Sequence, residues 1–353
     1  MSIPSAPENS PFVTVVVPVY RGGDEFRQCL GGLAALAPPP QEIIVVVDGE
    51  DDGSGDAAEA FGARVLRLPR RSGPAAARNA GARAARGAVL FFLDADVVPA
   101  PTVVAQVRAA FRADPGLAAL IGSYDDAPGH PAFLSQYRNL LHHYVHQTAE
   151  EQARTFWGAC GAVRREAFFA VGSFDEHFAN PSVEDVELGQ RLARAGRRIR
   201  LIKDIQVKHL KRWDMRGMLR TDVFQRALPW ARLLLREGHI PNDLNLRLQS
   251  RFSAGLAWLL LGTLGAVPLW PTSAAIAGLA AFALLGLNAP FYRFLQERRG
   301  LGFALRAVPW HWLYFLYASG GFAYVRLVER GDGSGPLPLA EVSTSAVEAA
   351  GSQ

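Results

Sequence analysis

Short apolar runs alternate with helical patterns through the first part of the chain. The apolar runs are rich in β-branched or aromatic residues, as strands covered on both faces require; they are Val13–Val19, Glu42–Asp48, Arg64–Leu68 and residues 88–94. Residues 25–37 and 74–86 are predicted helices, and the second starts with Pro74 and is followed by Gly87. This alternation predicts an α/β fold with a mostly parallel central sheet and right-handed crossovers.

The pattern becomes mixed over residues 117–209, where it predicts short strands around a helix at Glu184–Arg194. Residues 215–234 then carry apolar side chains at helical spacing, with arginines every four residues on another face: Met215, Leu219, Val223, Ala227, Trp230 and Leu234 against Arg212, Arg216 and Arg220. This pattern predicts an amphipathic helix in a membrane surface, kinked at Pro229. The alternative is a core-packing helix with a solvated basic face.

Long uncharged runs follow. Residues 252–270 and 273–292 contain no charged side chain, and each run is long enough to cross a bilayer core as a helix. A buried helical hairpin is the alternative. Residues 307–325 lack Lys, Arg, Asp and Glu but are bounded by Arg306 and Arg326, which favours a segment dipping into the cytoplasmic leaflet over a third crossing.

Composition strengthens the membrane interpretation. Hydrophobic residues make up 49% of the chain, and the net charge of +4 is unevenly distributed. Residues 191–251 hold 16 Lys or Arg against 5 Asp or Glu, and such a basic block beside apolar runs favours contact with anionic lipid. No nucleic-acid-binding signature accompanies the charge, so no nucleic-acid partner is expected. Cys29 and Cys160 form no disulfide framework or metal-cluster spacing, which favours a reducing compartment.

The strongest chemical signal is the pair Asp94 and Asp96, which directly follows the run AVLFFL. Ligands of parallel sheets bind at the carboxyl ends of the strands, and Asp48 also falls at such an end. Two carboxylates at this place favour a divalent cation, Mg²⁺ or Mn²⁺, shared with the oxygens of a diphosphate. Neither a Gly-x-Gly-x-x-Gly nor a Walker motif is present in the sequence.

The order of motifs resembles that of family 2 glycosyltransferases with the GT-A fold. The motifs run from Val13 to about His209 in the order VTVVVPVY, EIIVVVDG, GPAAARNAG, FFLDAD, WGACGAVRREAF and VEDVELGQRL. The resemblance implies a nucleotide-sugar donor, a UDP- or GDP-sugar, and a metal-dependent transfer. It also implies a Rossmann-like catalytic domain.

The resemblance assigns a donor site to Pro18, Tyr20, Asp48, Arg78 and Asp94. Pro18 and Tyr20 would contact the nucleotide, Asp48 the base or ribose, and Arg78 the diphosphate. The alternatives are a core-closing ring for Tyr20 and a surface arginine for Arg78. The run after Asp48, GEDDGS, departs from the usual Asp-Asp-Gly-Ser, so the carboxylate that meets the base stays open, with Asp48 favoured.

The same resemblance makes Glu184 and Asp185 the catalytic pair, with Asp185 as the base of an inverting transfer. Two carboxylates that merely stabilise a helix N-terminus are the alternative. Trp157 and Gly158, with Cys160 and Gly161 beyond them, would form the acceptor floor. Asp94, Asp96 and His209 would hold the metal. His209 is the weakest of the three, and the alternatives for it are a phosphate contact and a purely structural histidine. The histidines at 142, 143 and 146 lack a further zinc ligand at suitable spacing and are expected to line a solvated helix face.

We therefore expect residues 12–210 to form the catalytic domain, 211–250 interface helices and 251–330 membrane helices, with disordered ends at 1–11 and 331–353. Residues 1–11 lack the apolar segment of a signal peptide. The segment LKRWDM lacks the full Gln-x-x-Arg-Trp pattern of processive synthases, which favours transfer of a single sugar to a membrane-associated, lipid-linked acceptor. Basic flanks place the catalytic domain on the cytoplasmic side of the inner membrane. The alternatives are a polyprenyl-phosphate acceptor, an inactive membrane scaffold and a nucleotidyltransferase.

Overall fold

The computed structural model of the chain describes residues 11–238 and 244–329. The predictions of disorder for residues 1–10 and 331–353 lie outside these residues. The chain divides into two compact units, with the boundary between Arg212 and Trp213.

The first unit is built on a nine-stranded sheet. Its strands are β1 (Val13–Val19), β2 (Glu42–Asp48), β3 (Arg64–Leu68), β4 (Val89–Leu93), β5 (Val97–Pro99), β6 (Leu117–Tyr124), β7 (Gln152–Ala153), β8 (Cys160–Arg164) and β9 (Arg198–His209). Their spatial order is β3-β2-β1-β4-β8-β6-β9-β5, and β7 pairs with β9. The strand order reverses between β1 and β4, which creates a crevice at their carboxyl ends.

Seven helices belong to this unit within residues 11–212. They are α1 (Gly23–Ala34), α2 (Ser54–Phe61), α3 (Pro74–Ala84), α4 (Val103–Ala113), α5 (Phe133–Thr148), α6 (Arg165–Ala170) and α7 (Glu184–Arg194). Pro74 stands in the first turn of α3, where its missing N–H costs no hydrogen bond. The core lies between sheet and helices and is formed by apolar side chains of β1, β2, β4 and α1, among them Val15, Val45, Phe91 and Leu33.

The sheet is mixed, and the prediction of a mostly parallel sheet holds only for its first half. β1 pairs in parallel with β2 and β4, and β2 with β3. In the second half β8 pairs antiparallel with both β4 and β6, and β5 antiparallel with β9. The sequence pattern missed this because strand direction depends on long-range pairing, whereas periodicity reports only local burial.

The second unit is helical. It contains α8 (Met215–Arg220), a π-helical segment (Thr221–Ala227), α9 (Leu228–Glu237), a 3₁₀ turn (Leu244–Leu246), α10 (Leu248–Ala266), α11 (Ser273–Leu287), α12 (Ala289–Arg299), α13 (Leu301–Tyr324) and a second π-helical segment (Val325–Glu329). Ala257, Ala277, Leu284 and Phe315 pack together as part of its core. A π-helical segment ends at Ala227, two residues before Pro229, and the kink at Pro229 stays a prediction.

The two predicted membrane-crossing runs do not form two straight helices. The run at 252–270 is helical only as far as Ala266, shortly before Pro268, and the run at 273–292 breaks at Asn288 between α11 and α12. Over the described ranges, no single helix is both long and apolar enough to cross a bilayer. Together, α11 and α12 have the length and the apolar composition of one membrane span, but the two helices are bent by 63° at the break between them.

Candidate active site

Four of the predicted donor residues lie at or just after the carboxyl ends of β1, β2 and β4, namely Pro18, Tyr20, Asp48 and Asp94. Pro18 lies near the end of β1 and is half-buried, while Tyr20 follows the strand with 38% of its surface exposed. The guanidinium of Arg71 covers the Tyr20 ring at 4.5 Å from the ring centroid. Tyr20 is therefore an accessible ring at the crevice, not one that closes the core, as a nucleotide contact requires.

Asp48 ends β2 and is buried. Its Oδ1 accepts a hydrogen bond from the backbone N–H of Ser72 at 2.6 Å, and its Oδ2 accepts one from the N–H of Gly73 at 2.8 Å. Asp48 therefore shapes the loop that leads into α3. Its predicted contact with the base or ribose would use the lone pairs that remain on these two oxygens.

Arg78 is the centre of a buried charge network. It lies on α3 with 4% of its surface exposed, so the alternative of a surface arginine is wrong. Its Nη2 lies 2.7 Å from Asp94 Oδ1 and its Nη1 lies 2.8 Å from Glu184 Oε1. Burial alone lowers the pKa of Arg78, but the two carboxylates more than offset this and raise it. Arg78 thus joins the end of β4 to the start of α7.

Gly158 leaves room for this network. A Cβ at this position would lie 2.8 Å from Cζ of Arg78, so a side chain would displace the guanidinium. The backbone N–H of Gly158 donates to Asp185 Oδ2 at 2.9 Å. The preceding Trp157 is half-buried and packs edge-on against Tyr124. The predicted acceptor residues Trp157 and Gly158 therefore lie directly beside the predicted catalytic pair.

Asp185 is half-buried at the first turn of α7. Burial, followed by the negative charge of Glu184, raises its pKa to about 7, against the hydrogen bond from Gly158 and the charge of Arg78. Glu184 is buried, and its Oε2 accepts a hydrogen bond from the Ser182 N–H at 2.8 Å. The two neighbours therefore differ in role: Glu184 is tied into the scaffold, whereas Asp185 exchanges a proton near neutral pH.

Asp96 and His209 come together because β5 and β9 pair. Leu210 donates its N–H to the Asp96 carbonyl at 2.9 Å, and Val97 lies opposite His209 in the antiparallel register. The side chains approach to 3.6 Å between His209 Nε2 and Asp96 Oδ2. Burial opposes ionisation of Asp96, but the contact with His209 and the charge of Lys211 lower its pKa. Asp96 is thus ionised at neutral pH.

The site carries an excess of negative charge. Asp94, Asp96, Glu184 and Asp185 contribute four carboxyl groups, against the guanidinium of Arg78 and the ammonium of Lys211, whose charge acts on Asp96. The Asp94 and Asp96 side chains are each about one-third exposed, at 33% and 35%. An anionic diphosphate would be repelled here unless a cation compensated the carboxylates, so the charge balance fits a bound divalent ion.

The ligand set is small. Within the part of the chain that the structure describes, no three His, Cys, Asp or Glu side chains are grouped so as to hold an ion by themselves. Mg²⁺ commonly binds through one or two carboxylates together with substrate phosphates, so a small protein contribution agrees with a substrate-shared ion. Asp96 and His209 would form the edge of such a site, and Arg78 holds the nearby Asp94 by an ion pair.

The three histidines of α5 do not form the solvated face that was predicted. His143 and His146 are buried, and their Nδ1 atoms lie 2.7 Å and 3.1 Å from the carbonyl oxygens of Tyr124 and Gly122 on β6. Burial lowers the pKa of His146 to about 4, so its ring is neutral. The spacing of four residues between His142 and His146 predicts that both lie on one face of the helix. The sequence does not show that the histidines of this helix contact β6.

Sequence reasoning missed Tyr124. This residue ends β6, and its ring stacks on His209 with centroids 4.4 Å apart and planes 15° apart. No motif marks it, because its importance follows from the parallel pairing of β6 with β9. The available signal was its place at the end of an apolar strand, the same signal that identified Asp94.

The fold is the GT-A variant of the Rossmann-like α/β fold, with a mixed sheet. Residues 14–172 match the family described as "Glycosyl transferase family 2". This match agrees with the resemblance that the motifs carry. Asp185 and His209 lie beyond the matched residues, and the roles of all the site residues stay predictions.

Two curated relatives illustrate the similarity. Validoxylamine A glucosyltransferase of Streptomyces hygroscopicus subsp. limoneus is 28% identical over 232 residues, which cover 54% of this chain and 49% of that protein. Pre-mycofactocin glycosyltransferase of Mycobacterium tuberculosis is 30% identical over 234 residues, covering 63% of this chain and 47% of that protein. The chain spans about half the length of these curated relatives.

Among solved structures, the mannosyltransferase PcManGT from Pyrobaculum calidifontis, in complex with GDP-Man and Mn²⁺, matches with a TM-score of 0.55. The match covers 92% of this chain and 91% of that one at 20% sequence identity. This similarity concerns the fold.

Proposed function

We propose that the chain is an inverting, metal-dependent glycosyltransferase that moves one sugar from a nucleoside-diphosphate sugar to a membrane-associated, lipid-linked acceptor. The observation that carries the proposal is the bridge from Asp94 through Arg78 to Glu184, with distances of 2.7 Å and 2.8 Å. This bridge fixes the donor side of the crevice relative to the helix that bears Asp185. A site for two substrates needs such a fixed separation.

On the donor side, Asp94, Asp96 and His209 would hold a divalent cation, Mg²⁺ or Mn²⁺. When bound, the cation neutralises negative charge on the departing nucleoside diphosphate. Tyr20 offers a ring face to the base, and the loop held by Asp48 lies beside it. Arg78 keeps Asp94 in place through its ion pair. Its predicted contact with the diphosphate stays a prediction, since two of its nitrogens already bind carboxylates.

On the acceptor side, Asp185 would take the proton from the acceptor hydroxyl. A base works best when its pKa lies near the working pH, and the value of about 7 meets this condition. The N–H of Gly158 orients one carboxylate oxygen, and the N–H of Val186 contacts the other at 2.8 Å. A base on the face of the sugar opposite the leaving group leads to inversion.

Support for a membrane-associated acceptor comes from the second unit. Large apolar side chains are strongly exposed on α11 and in the turn before it: Leu269 at 92%, Phe282 at 76%, and Leu279 and Trp270 at 70%. Basic residues flank the two apolar runs, whereas residues 268–273 between the runs carry no charge. Arg247 and Arg251 precede the first run, and Arg293, Arg298 and Arg299 follow the second. We propose association with the cytoplasmic face of a membrane on these grounds.

The proposal is tested by screening UDP- and GDP-sugars for Mn²⁺-dependent hydrolysis and for thermal stabilisation of the full chain. One nucleotide sugar is expected to raise the unfolding temperature only when Mn²⁺ is present, because donor and metal occupy one site. Stabilisation that is equal with and without a divalent ion would contradict the metal-dependent donor site. Stabilisation by none of the donors would contradict the proposed activity itself.

A further inference from the structure

Tyr124 lies at the junction of the metal side and the acceptor side of the site. One face of its ring stacks on His209, with centroids 4.4 Å apart and planes 15° apart. Trp157 and His142 each approach the same ring edge-on at 4.8 Å. Only 9% of Tyr124 is exposed. The ring is thus enclosed by aromatic neighbours, and His209 stacks on one of its faces.

The backbone around Tyr124 is fixed by hydrogen bonds from two directions. Its carbonyl oxygen lies 2.7 Å from His143 Nδ1 on α5. The N–H of the next residue, Asp125, donates to the carbonyl of Val207 on β9 at 2.9 Å. The ring therefore stands at a set position beside the last residues of β9, where His209 lies.

The pairing of β5 with β9 sets the backbone of His209 but leaves its ring free to rotate about two side-chain bonds. A flat partner on one face restricts that rotation. The observed ring plane brings Nε2 to 3.6 Å from Asp96 Oδ2. Residues that orient a metal ligand are commonly worth a factor of roughly 10–100 in metal affinity.

We propose that Tyr124 is a positioning residue for the metal site, because its ring holds the imidazole of His209 with Nε2 towards Asp96. The inference rests on the proposed function, in which Asp96 and His209 hold the cation. The aromatic face is the working part of the side chain, since it is the flat ring that stacks on the imidazole. The hydroxyl group is dispensable in this role.

The test measures binding of Mn²⁺ alone to the full chain, by electron paramagnetic resonance of the free ion. Tyr124→Leu removes the flat ring and should weaken Mn²⁺ binding about tenfold, at the lower end of the range for orienting residues. Tyr124→Phe keeps the ring and should bind Mn²⁺ as the wild type does. His209→Ala should weaken binding at least as much as Tyr124→Leu.

The pattern of results separates the two proposals. If His209→Ala weakens Mn²⁺ binding and a folded Tyr124→Leu does not, the positioning role is wrong and the metal assignment stands. If His209→Ala binds Mn²⁺ like the wild type, the assignment of His209 fails and the positioning role fails with it. Equal weakening in Tyr124→Phe and Tyr124→Leu would also overturn the role of the ring.

A second variant keeps the proposal testable if Tyr124→Leu does not fold. His142→Ala leaves Tyr124 in place and removes one edge-on neighbour at 4.8 Å. The Tyr124 ring should then be held less firmly, so His142→Ala should weaken Mn²⁺ binding by a smaller factor than Tyr124→Leu. Wild-type Mn²⁺ affinity in a folded His142→Ala protein would count against the proposal. It would show that the contact of His142 with the Tyr124 ring does not affect the metal site.

Discussion

At the scale of single residues, the contrast between Glu184 and Asp185 shows how environment assigns different roles to neighbouring carboxylates. Glu184 is buried and contacts Arg78 at 2.8 Å, so it serves as part of an ion-pair network. Asp185 accepts hydrogen bonds from the backbone N–H groups of Gly158 and Val186. Removal from water and the charge of Glu184 raise its pKa to about 7.

Asp185→Asn tests the base. The substitution should lower kcat roughly 10²–10⁴-fold, because the amide cannot take up the acceptor proton. Binding of the nucleotide sugar should persist, since Asp185 lies on the acceptor side. Steady-state kinetics and donor titration measure the two effects. An equal loss of donor affinity would move Asp185 into the donor site, and an unchanged rate would favour a phosphate acceptor, which needs no base.

The pH dependence follows from the same carboxyl group. The base form of Asp185 is populated above its pKa and lost below it, so kcat/KM should rise with pH through about 7 and level off above that value. On the acid side the profile should fall tenfold for each pH unit. In Asp185→Asn this limb should vanish from the residual activity. An acid limb at the same pH in both proteins would assign the titration to another group.

Asp96→Ala tests the metal site. The variant should lose divalent-dependent binding of the nucleotide sugar and nearly all turnover, because the cation would lose a carboxylate ligand. The fold should survive, since Asp96 is about one-third exposed and lies in the turn between β4 and β5, outside the core. Calorimetry with and without Mn²⁺ measures the binding. Wild-type turnover in the variant would show that Asp96 does not ligate the metal.

At the scale of secondary-structure elements, the site depends on the close approach of the segment before β8 to α3. Gly158→Ala should push the Arg78 guanidinium away, since the added Cβ would lie 2.8 Å from Cζ. A displacement of about 1 Å in a catalytic network costs roughly a hundredfold in rate, and that loss is expected in kcat. The cost in the free energy of unfolding should be about 1–3 kcal/mol.

The matched control is Gly31→Ala on α1, where nothing lies within 4 Å of the new Cβ. It should leave kcat unchanged and stabilise the helix by about 0.5–1 kcal/mol. Kinetics and thermal unfolding of both variants provide the comparison. Full activity of Gly158→Ala would mean that the bridge tolerates displacement of Arg78 and does not fix the geometry of the site.

At the scale of the whole molecule, the exposed apolar residues of the second unit lead to a prediction about membranes. Phe282→Glu should weaken binding of the full chain to vesicles that contain phosphatidylglycerol. Burial of a phenylalanine contributes about 1.5–3 kcal/mol, so the loss should be about tenfold to hundredfold. Gln28→Glu, at an exposed position of α1, adds the same charge and should leave binding unchanged. Equal binding of all three proteins in a flotation assay would contradict membrane association through α11.

The elements of the first unit were largely readable from local pattern. The predicted runs Val13–Val19, Glu42–Asp48 and Arg64–Leu68 are strands with those bounds, and Glu184–Arg194 is a helix with those bounds. Each has its own hydrophobic periodicity, and Pro74 marks the start of α3. Such signals lie within a few residues of each other, so one sequence contains them in full. The candidate site residues at strand ends followed from the same pattern.

The sequence by itself determined these elements, the family resemblance and the types of side chain at the crevice. Tertiary structure alone decided that β8 runs antiparallel between β4 and β6, and that Arg78 bridges to Glu184, 106 residues away. It also stacked Tyr124 on His209 and bent the second apolar run at Asn288. Local periodicity records which face of a segment is buried, whereas partners distant in sequence are chosen by the packing of the whole chain.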